Sequence, residues 1–474
     1  MTDTLTAPPE TEVVSREPGT GETLARYPVA DAATVADVAR RAAAAQPGWA
    51  ALPGAARAGI LRRAAGVLTT RRDELVPLLI RESGSIRGKA EAELMGGAGE
   101  LMAAAALAER DPQQDLPSRE PDRTASSRRL PVGVVAVITP WNFPVVLALR
   151  SVAPALALGN AVLLKPDPNT PGIGGAALAD VLTAAGLPDD LLHVVHGDAA
   201  TGQFLVTDPR VGMVSFTGST DAGRAVGVAA AGLLKRAVLE LGGNNPFLVL
   251  DDVDVQRAAS AGAWGGFLHQ GQICMAARRH LVHRKVAPAY VEALVARARR
   301  LRVGDPYRDQ SVQLGPLIND AQRERFEAAV RGALADGATL AAGGTTEGRY
   351  AAPTVLTDVR PDMAVFATET FGPVVTVTVV DDDDEAVALA NATRYGLTAG
   401  VYTADPERGR AVAERLHTGA VHIGDQTVQH DPRWPFGGFG DSGNGGCFGG
   451  EAAVAAFTRE QCLTVSTPMR AYPF

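Results

Sequence analysis

Between residues 132 and 240 short apolar, β-branched runs alternate with longer amphipathic ones, and no other feature restricts the fold as much. Strands are predicted at 132–137, 161–164, 192–195, 212–216 and 237–239, and helices at 145–158, 172–185 and 221–231. A strand that is apolar at every position, not at every second one, must be covered on both faces. When helices separate such strands, the expected product is a parallel sheet with helices on each side. That is a dinucleotide-binding type of layout. A second alternating set runs from Phe247 to about Tyr402 and predicts a second α/β domain. Upstream, 31–108 reads as helices: Ile60, Leu61, Ala64, Leu68, Leu75 and Leu78 recur at helical spacing, with Arg62, Arg63, Arg71 and Arg72 on the other side. The segment 111–129 breaks the pattern, with Pro112, Pro117 and Pro121 among many charges, and is expected to leave the compact body.

Bulk properties exclude several function classes. A chain of 474 residues should divide into two or three domains. Its net charge of −8, from 45 basic and 53 acidic residues, offers no attraction for nucleic acid or an anionic membrane. Three cysteines, Cys274, Cys447 and Cys462, are too few and odd in number for a disulfide framework, which fits a reducing compartment. The first 14 residues lack a basic region followed by an apolar one, so no signal peptide is expected. The most apolar stretch, 132–164, is interrupted by Pro140, Asn142, Pro144, Arg150, Pro154 and Asn160, and no membrane span is expected. A cytoplasmic location follows as the expectation. The acid run Asp381-Asp382-Asp383-Asp384-Glu385 is read as the N-terminus of a helix, where carboxylates cap free N–H groups, and no metal site is expected.

Four short segments carry the chemistry: Pro140-Trp141-Asn142-Phe143-Pro144, Glu240-Leu241-Gly242-Gly243, Gly271-Gln272-Ile273-Cys274 and Glu369-Thr370-Phe371-Gly372-Pro373. A thiol, a carboxamide and two carboxylates, each beside Gly or Pro, are the parts of covalent redox chemistry on a carbonyl. In this order the segments resemble the aldehyde dehydrogenase superfamily, and the resemblance extends from Glu17-Pro18-Gly19-Thr20-Gly21-Glu22 to the tail. It implies a dinucleotide-binding domain (1–110 and 131–240), a catalytic domain (241–440) and a small β element (111–130 and 441–474). That last element would assemble a homodimer or homotetramer. It also implies that Cys274 attacks an aldehyde, that Asn142 with the Cys274 N–H holds the oxyanion, and that Glu240 activates the water that hydrolyses the thioester. Members that pass the acyl group to coenzyme A usually lack a glutamate at the position of Glu240, so release of the free acid is expected.

The same resemblance assigns cofactor contacts. Phe216-Thr217-Gly218-Ser219-Thr220 looks like the pyrophosphate-facing segment, with Gly218 and Ser219 near phosphate. Gly197 matches a close-approach glycine, Lys165 the lysine on the adenosine ribose, Glu369 the acid on the nicotinamide ribose and Phe371 the ring beside it. Ile138, Pro140, Trp141 and Leu241 complete the set. The chain departs from the common pattern at Lys165-Pro166-Asp167-Pro168, where Pro168 replaces an acid that accepts from the ribose. NAD is therefore expected, with NADP as the alternative. Arg278 replaces a common small residue, and Gln429-His430-Asp431 is polar where an apolar lining is usual.

The segments around Lys165, Asn244 and Cys274, with Gln426-Thr427-Val428 and Phe448-Gly449-Gly450, look like the branch that oxidises aromatic aldehydes such as benzaldehyde and vanillin. Trp141, Phe143, Phe267, Met275 and Trp434 are the candidates for an apolar pocket. The alternatives are an aliphatic aldehyde or semialdehyde substrate, a CoA-acylating dehydrogenase, and a non-catalytic protein that kept the fold.

Overall fold

In the computed structural model, which describes residues 11–474, the alternation between 132 and 240 becomes a five-stranded parallel sheet. Its strands are Val134–Ile138, Ala161–Lys165, Leu192–Val194, Val211–Thr217 and Arg236–Glu240. Val134–Ile138 and Ala161–Lys165 are buried at every position, which is why they read as unbroken apolar runs. From the central strand Val134–Ile138 the chain builds one side with Ala161–Lys165 and Leu192–Val194. It then returns to the other side with Val211–Thr217 and Arg236–Glu240. The direction reverses beside the central strand, and there the loops leaving adjacent strands part and open a crevice at the carboxyl ends.

Two local departures from the sequence expectation have physical causes. A helix at Ala199–Thr207 was not foreseen; its buried positions include Thr201 and Gly202, so the apolar period is masked, and Asp198 caps it through the Ala200 and Thr201 N–H groups. The helix expected at 172–185 opens with a π-helical turn, Gly172–Ala176, before Ala177–Ala184. The buried Glu82 carboxylate accepts from the N–H groups of Gly172 and Ile173 (3.1 and 2.7 Å) and satisfies the widened turn.

The helices Ala32–Ala51, Gly54–Thr70, Arg72–Ser83 and Arg87–Ala108 share one apolar core with this sheet. A second sheet has seven strands in the order Thr339–Ala342, Thr354–Thr357, Val374–Val380, Ala277–His283, Asn245–Val249, Thr398–Tyr402, Ala420–Ile423. Only its outermost pair, Thr339–Ala342 with Thr354–Thr357, runs antiparallel. The excursion after residue 110 supplies Gln113–Leu116 and Arg123–Pro131, which form a three-stranded antiparallel sheet with Thr458–Ser466.

The tail corrects the expectation that 441–474 belongs as a whole to that small sheet. Gly450–Phe457 is a helix, and Phe448, Ala453, Ala456 and Phe457 pack into the first core. Burying that apolar face needs a covered surface, which a protruding sheet does not offer. The acid run caps a helix, as read: the Asp382 carboxylate accepts from the Glu385 N–H at 2.9 Å, ahead of Asp383–Asn391. Among the described residues no helix is long and apolar enough to cross a membrane.

Candidate active site

Cys274 follows three consecutive left-handed residues, His269 (φ 50°), Gln270 (φ 55°) and Gly271 (φ 64°). A non-glycine residue in this region carries about 1–3 kcal/mol of strain, which the surroundings must over-determine. They do so with hydrogen bonds. Gln270 Nε2 donates to the carbonyls of Gly84 (3.2 Å) and Pro316 (3.0 Å), and Gln272 Oε1 accepts from the Ile318 N–H (3.0 Å). Behind the cysteine, Asn245 Nδ2 donates to the Cys274 carbonyl at 2.7 Å and the Ala276 carbonyl at 2.9 Å. At position 271 a Cβ would overlap the Gly372 carbonyl oxygen, so only glycine lets the two backbones touch.

Two cavities meet at Cys274, and both are also lined by Asn142 and Leu147. The first, of about 160 Å³, is bounded by Trp141, Ser219, Leu241, Glu369 and Phe371. The second, of about 460 Å³, is walled mainly by Phe143, Val146, Trp264, Leu268, Met275 and Val428. Of the expected pocket residues, Phe143 and Met275 line this apolar cavity. Trp141 lies on the other side of the thiol, Phe267 is buried in the core of the second sheet, and Trp434 is exposed. Trp264, Leu268 and Val428 were missed, because contacts made across separate elements leave no spacing in the sequence.

Asn142 is held by an ion pair that sequence reasoning also passed over. Buried Lys89 donates to the Asn142 carbonyl at 2.7 Å and pairs with Glu93, whose Oε1 accepts from the Val145 N–H at 2.8 Å. The signal that existed was a Lys and a Glu four residues apart, one helical turn. The Asn142 side chain donates one N–H to the Gln272 carbonyl (2.9 Å), which leaves its second N–H for an oxyanion.

Glu240 ends the strand Arg236–Glu240 with both carboxylate oxygens buried and without a hydrogen-bond partner. Burial pushes its carboxyl well above the usual range, opposed by the Arg150 cation. The Cys274 thiol is pushed up to about 12 by burial, again opposed by Arg150. Burial favours the protonated form of both groups, so a proton must leave the thiol as the nucleophile forms. Glu240 is close enough to act on Cys274 electrostatically but lines neither cavity. Arg150 is buried in the wall of the apolar cavity, with its Nε 3.8 Å from Glu100 Oε1, an ion pair too long for a hydrogen bond, and its guanidinium 4.4 Å from the Phe436 ring centroid. His430 Nε2 and Glu100 Oε1 meet at 2.9 Å in the same wall.

The smaller cavity has the character of a dinucleotide site. Ile138, Lys165 and Glu240 end parallel strands of the first sheet, and Pro140, Trp141, Gly197, Gly218, Ser219 and Leu241 follow them in loops at the carboxyl ends. Ser219 caps Thr220–Gly232, accepting from the Ala222 N–H at 3.4 Å, so the helix N-terminus faces the crevice. Gly197 has φ 155°, where a side chain would collide with Thr201. Lys165 is buried, and its ammonium is disfavoured by desolvation despite Asp167 and Asp198 nearby. Trp141 and Phe371 meet edge to face, centroids 5.5 Å apart. Glu369 Oε1 accepts from the Gly243 N–H at 3.0 Å, and a Cβ at Gly242 would overlap its other oxygen. Two aromatic rings, a carboxylate and a helix N-terminus line this cavity and fit a nicotinamide dinucleotide, while Ile138, Lys165 and Gly197 lie outside its lining at the same sheet edge; Ser219, Glu369 and Phe371, with Lys165 beyond the cavity, are the residues that would hold it.

The aldehyde dehydrogenase family model matches residues 6–463. The chain is 48% identical over 458 residues to benzaldehyde dehydrogenase [NAD(+)] of Pseudomonas putida, covering 97% of this chain and 94% of that protein. It is 49% identical over 459 residues to vanillin dehydrogenase of an Amycolatopsis species, with the same coverage. The crystal structure of an NAD-dependent aldehyde dehydrogenase from Sinorhizobium meliloti superposes with a TM-score of 0.94 at 34% identity, covering 98% of this chain and 92% of that one.

Proposed function

The chain belongs to the aldehyde dehydrogenase family, oxidoreductases acting on aldehydes, and on that premise we propose that it converts aromatic aldehydes of the benzaldehyde type to carboxylic acids. The observation that carries this reading is the position of Cys274 between a crevice at the carboxyl ends of the parallel sheet and an apolar cavity large enough for a substituted ring. Its relatives named for benzaldehyde and vanillin support the substrate class.

Cys274 Sγ gives up its proton towards Glu240 and bonds to the aldehyde carbon, whose oxygen takes the negative charge. The free Asn142 N–H and the Cys274 backbone N–H stabilise that oxygen. When bound, the nicotinamide dinucleotide supplies a hydride acceptor. The acyl group is left on sulfur as a thioester. Once that first proton has passed on to solvent, the Glu240 carboxylate takes a proton from water, and the water oxygen displaces sulfur, which leaves as the thiolate, to release the acid. The presence of Glu240 favours this outcome over acyl transfer to coenzyme A.

NAD is the proposed cofactor and NADP the second. Pro168 offers no carboxylate against a 2′-phosphate, and Asp167 Oδ1 accepts from the Asn169 backbone and side-chain N–H groups at 2.9 and 2.7 Å. A kcat/KM ratio below about 10⁴, roughly 5 kcal/mol, is expected between the two cofactors. We also propose assembly through the three-stranded sheet, whose Leu463 and Val465 are exposed, checked by light scattering on the eluting protein. The decisive experiment follows NAD(P)H absorbance over benzaldehydes, aliphatic aldehydes and semialdehydes, with and without coenzyme A. Turnover confined to aliphatic substrates, or dependent on coenzyme A, rejects the proposal.

A further inference from the structure

Arg278 is the second residue of the strand Ala277–His283 and is buried. Its guanidinium donates to the Gly271 carbonyl (2.7 Å) and the Ile273 carbonyl (3.2 Å), both in the loop that presents Cys274. Its other terminal nitrogen reaches the Gly372 carbonyl (3.4 Å) in the loop of Glu369 and Phe371, and the cation lies 5.6 Å from the Phe371 ring centroid. The two loops touch here, Gly271 against Gly372, and both carry left-handed backbone, Gly271 at φ 64° and Phe371 at φ 50°. On its far side the second loop is tied by Gln322 Nε2, which donates to the Thr370 and Phe371 carbonyls (3.2 and 2.8 Å).

A fully desolvated guanidinium is costly unless acceptors surround it. Here three carbonyls from two loops take N–H groups of its terminal nitrogens, Nε is left without a partner, and Glu369 exerts the strongest opposing charge. A small residue at 278 could make none of these bonds. We propose that Arg278 is a positioning residue: it clamps the thiol loop to the loop of Glu369 and Phe371 and so fixes the gap between sulfur and dinucleotide. The inference rests on the reading of the smaller cavity as the dinucleotide site.

The test compares R278M, of similar length but apolar, with R278K, which keeps the charge but cannot fork across two loops. The primary readout needs no turnover: the Kd of NAD for the enzyme without aldehyde, from quenching of tryptophan fluorescence, since Trp141 stands against Phe371. R278M should raise that Kd, and the KM for NAD, about tenfold, and R278K about threefold, with the KM for benzaldehyde within about twofold of wild type. A folded R278M with unchanged Kd overturns the clamp. So does an equal rise in the KM for aldehyde, which would mark a general loss of structure. If R278M does not fold, R278K decides alone, and an unchanged Kd in it overturns the proposal. Failure of the wild-type enzyme to bind NAD would instead sink the assignment of the cavity, a distinguishable result.

Discussion

The two cavities flanking Cys274 are built by different means. The smaller cavity, proposed for the dinucleotide, leans on backbone, with strand ends, a helix N-terminus and glycines such as Gly218 and Gly242 beside the side chains of Trp141, Glu369 and Phe371. The aldehyde side is made of side chains from separate elements, among them Val146, Trp264, Leu268 and Val428, with Lys89, Glu93 and Arg150 buried in its wall. The first arrangement is fixed by chain direction and tolerates little change. The second can be re-lined one residue at a time, which is how a shared chemistry is turned to different aldehydes.

Substitutions at the boundary should damage both sides, and those within one cavity only that side. The largest loss is expected at the junction: Cys274→Ala should lower aldehyde-dependent NADH formation by at least about 10⁴-fold. It should leave NAD binding intact; retained turnover would reject sulfur as the nucleophile. Next, Glu240→Gln should release one equivalent of NADH per site in a burst and then run slower by about 10²–10⁴-fold. Because burial raises the Glu240 carboxyl, the wild-type rate should climb with pH as that group loses its proton, a slope missing in the Gln variant. An undiminished steady state would remove Glu240 from the hydrolytic step. Asn142→Ala should cost about 10²–10³-fold in kcat with the Kd of NAD little changed, read by stopped-flow absorbance. The smallest effect separates the cavities most cleanly. Trp264→Ala should raise the KM for benzaldehyde about tenfold without altering NAD affinity. If both constants move together, the two cavities do not divide the ligands as proposed.

How much of this was legible follows from what each feature depends on. The first sheet could be read because Val134–Ile138 and Ala161–Lys165 are buried on both faces and are therefore apolar throughout. The helix Ala199–Thr207 could not, because part of its inward face is Thr201 and Gly202. Cys274, Asn142 and Glu240 stood out only as members of an ordered set of segments. The Lys89–Glu93 pair that steadies Asn142 was visible as a spacing but gave no hint of its target 53 residues away. Phe267 and Trp434 were as plausible in sequence as Phe143, yet one faces the core and the other solvent.

Left to itself, the sequence determined the two α/β units, because these depend on local periodicity, and it marked Cys274 and the strand-end segments as candidates through their ordered resemblance to a family. The tertiary structure alone decided which side chains wall the apolar cavity, where Arg150 and Arg278 direct their charge, and that burial favours the protonated forms of Cys274 and Glu240. Burial and Coulombic interaction depend on distance in space, and residues such as Glu240 and Cys274 are brought within electrostatic reach only when two separate sheets pack together.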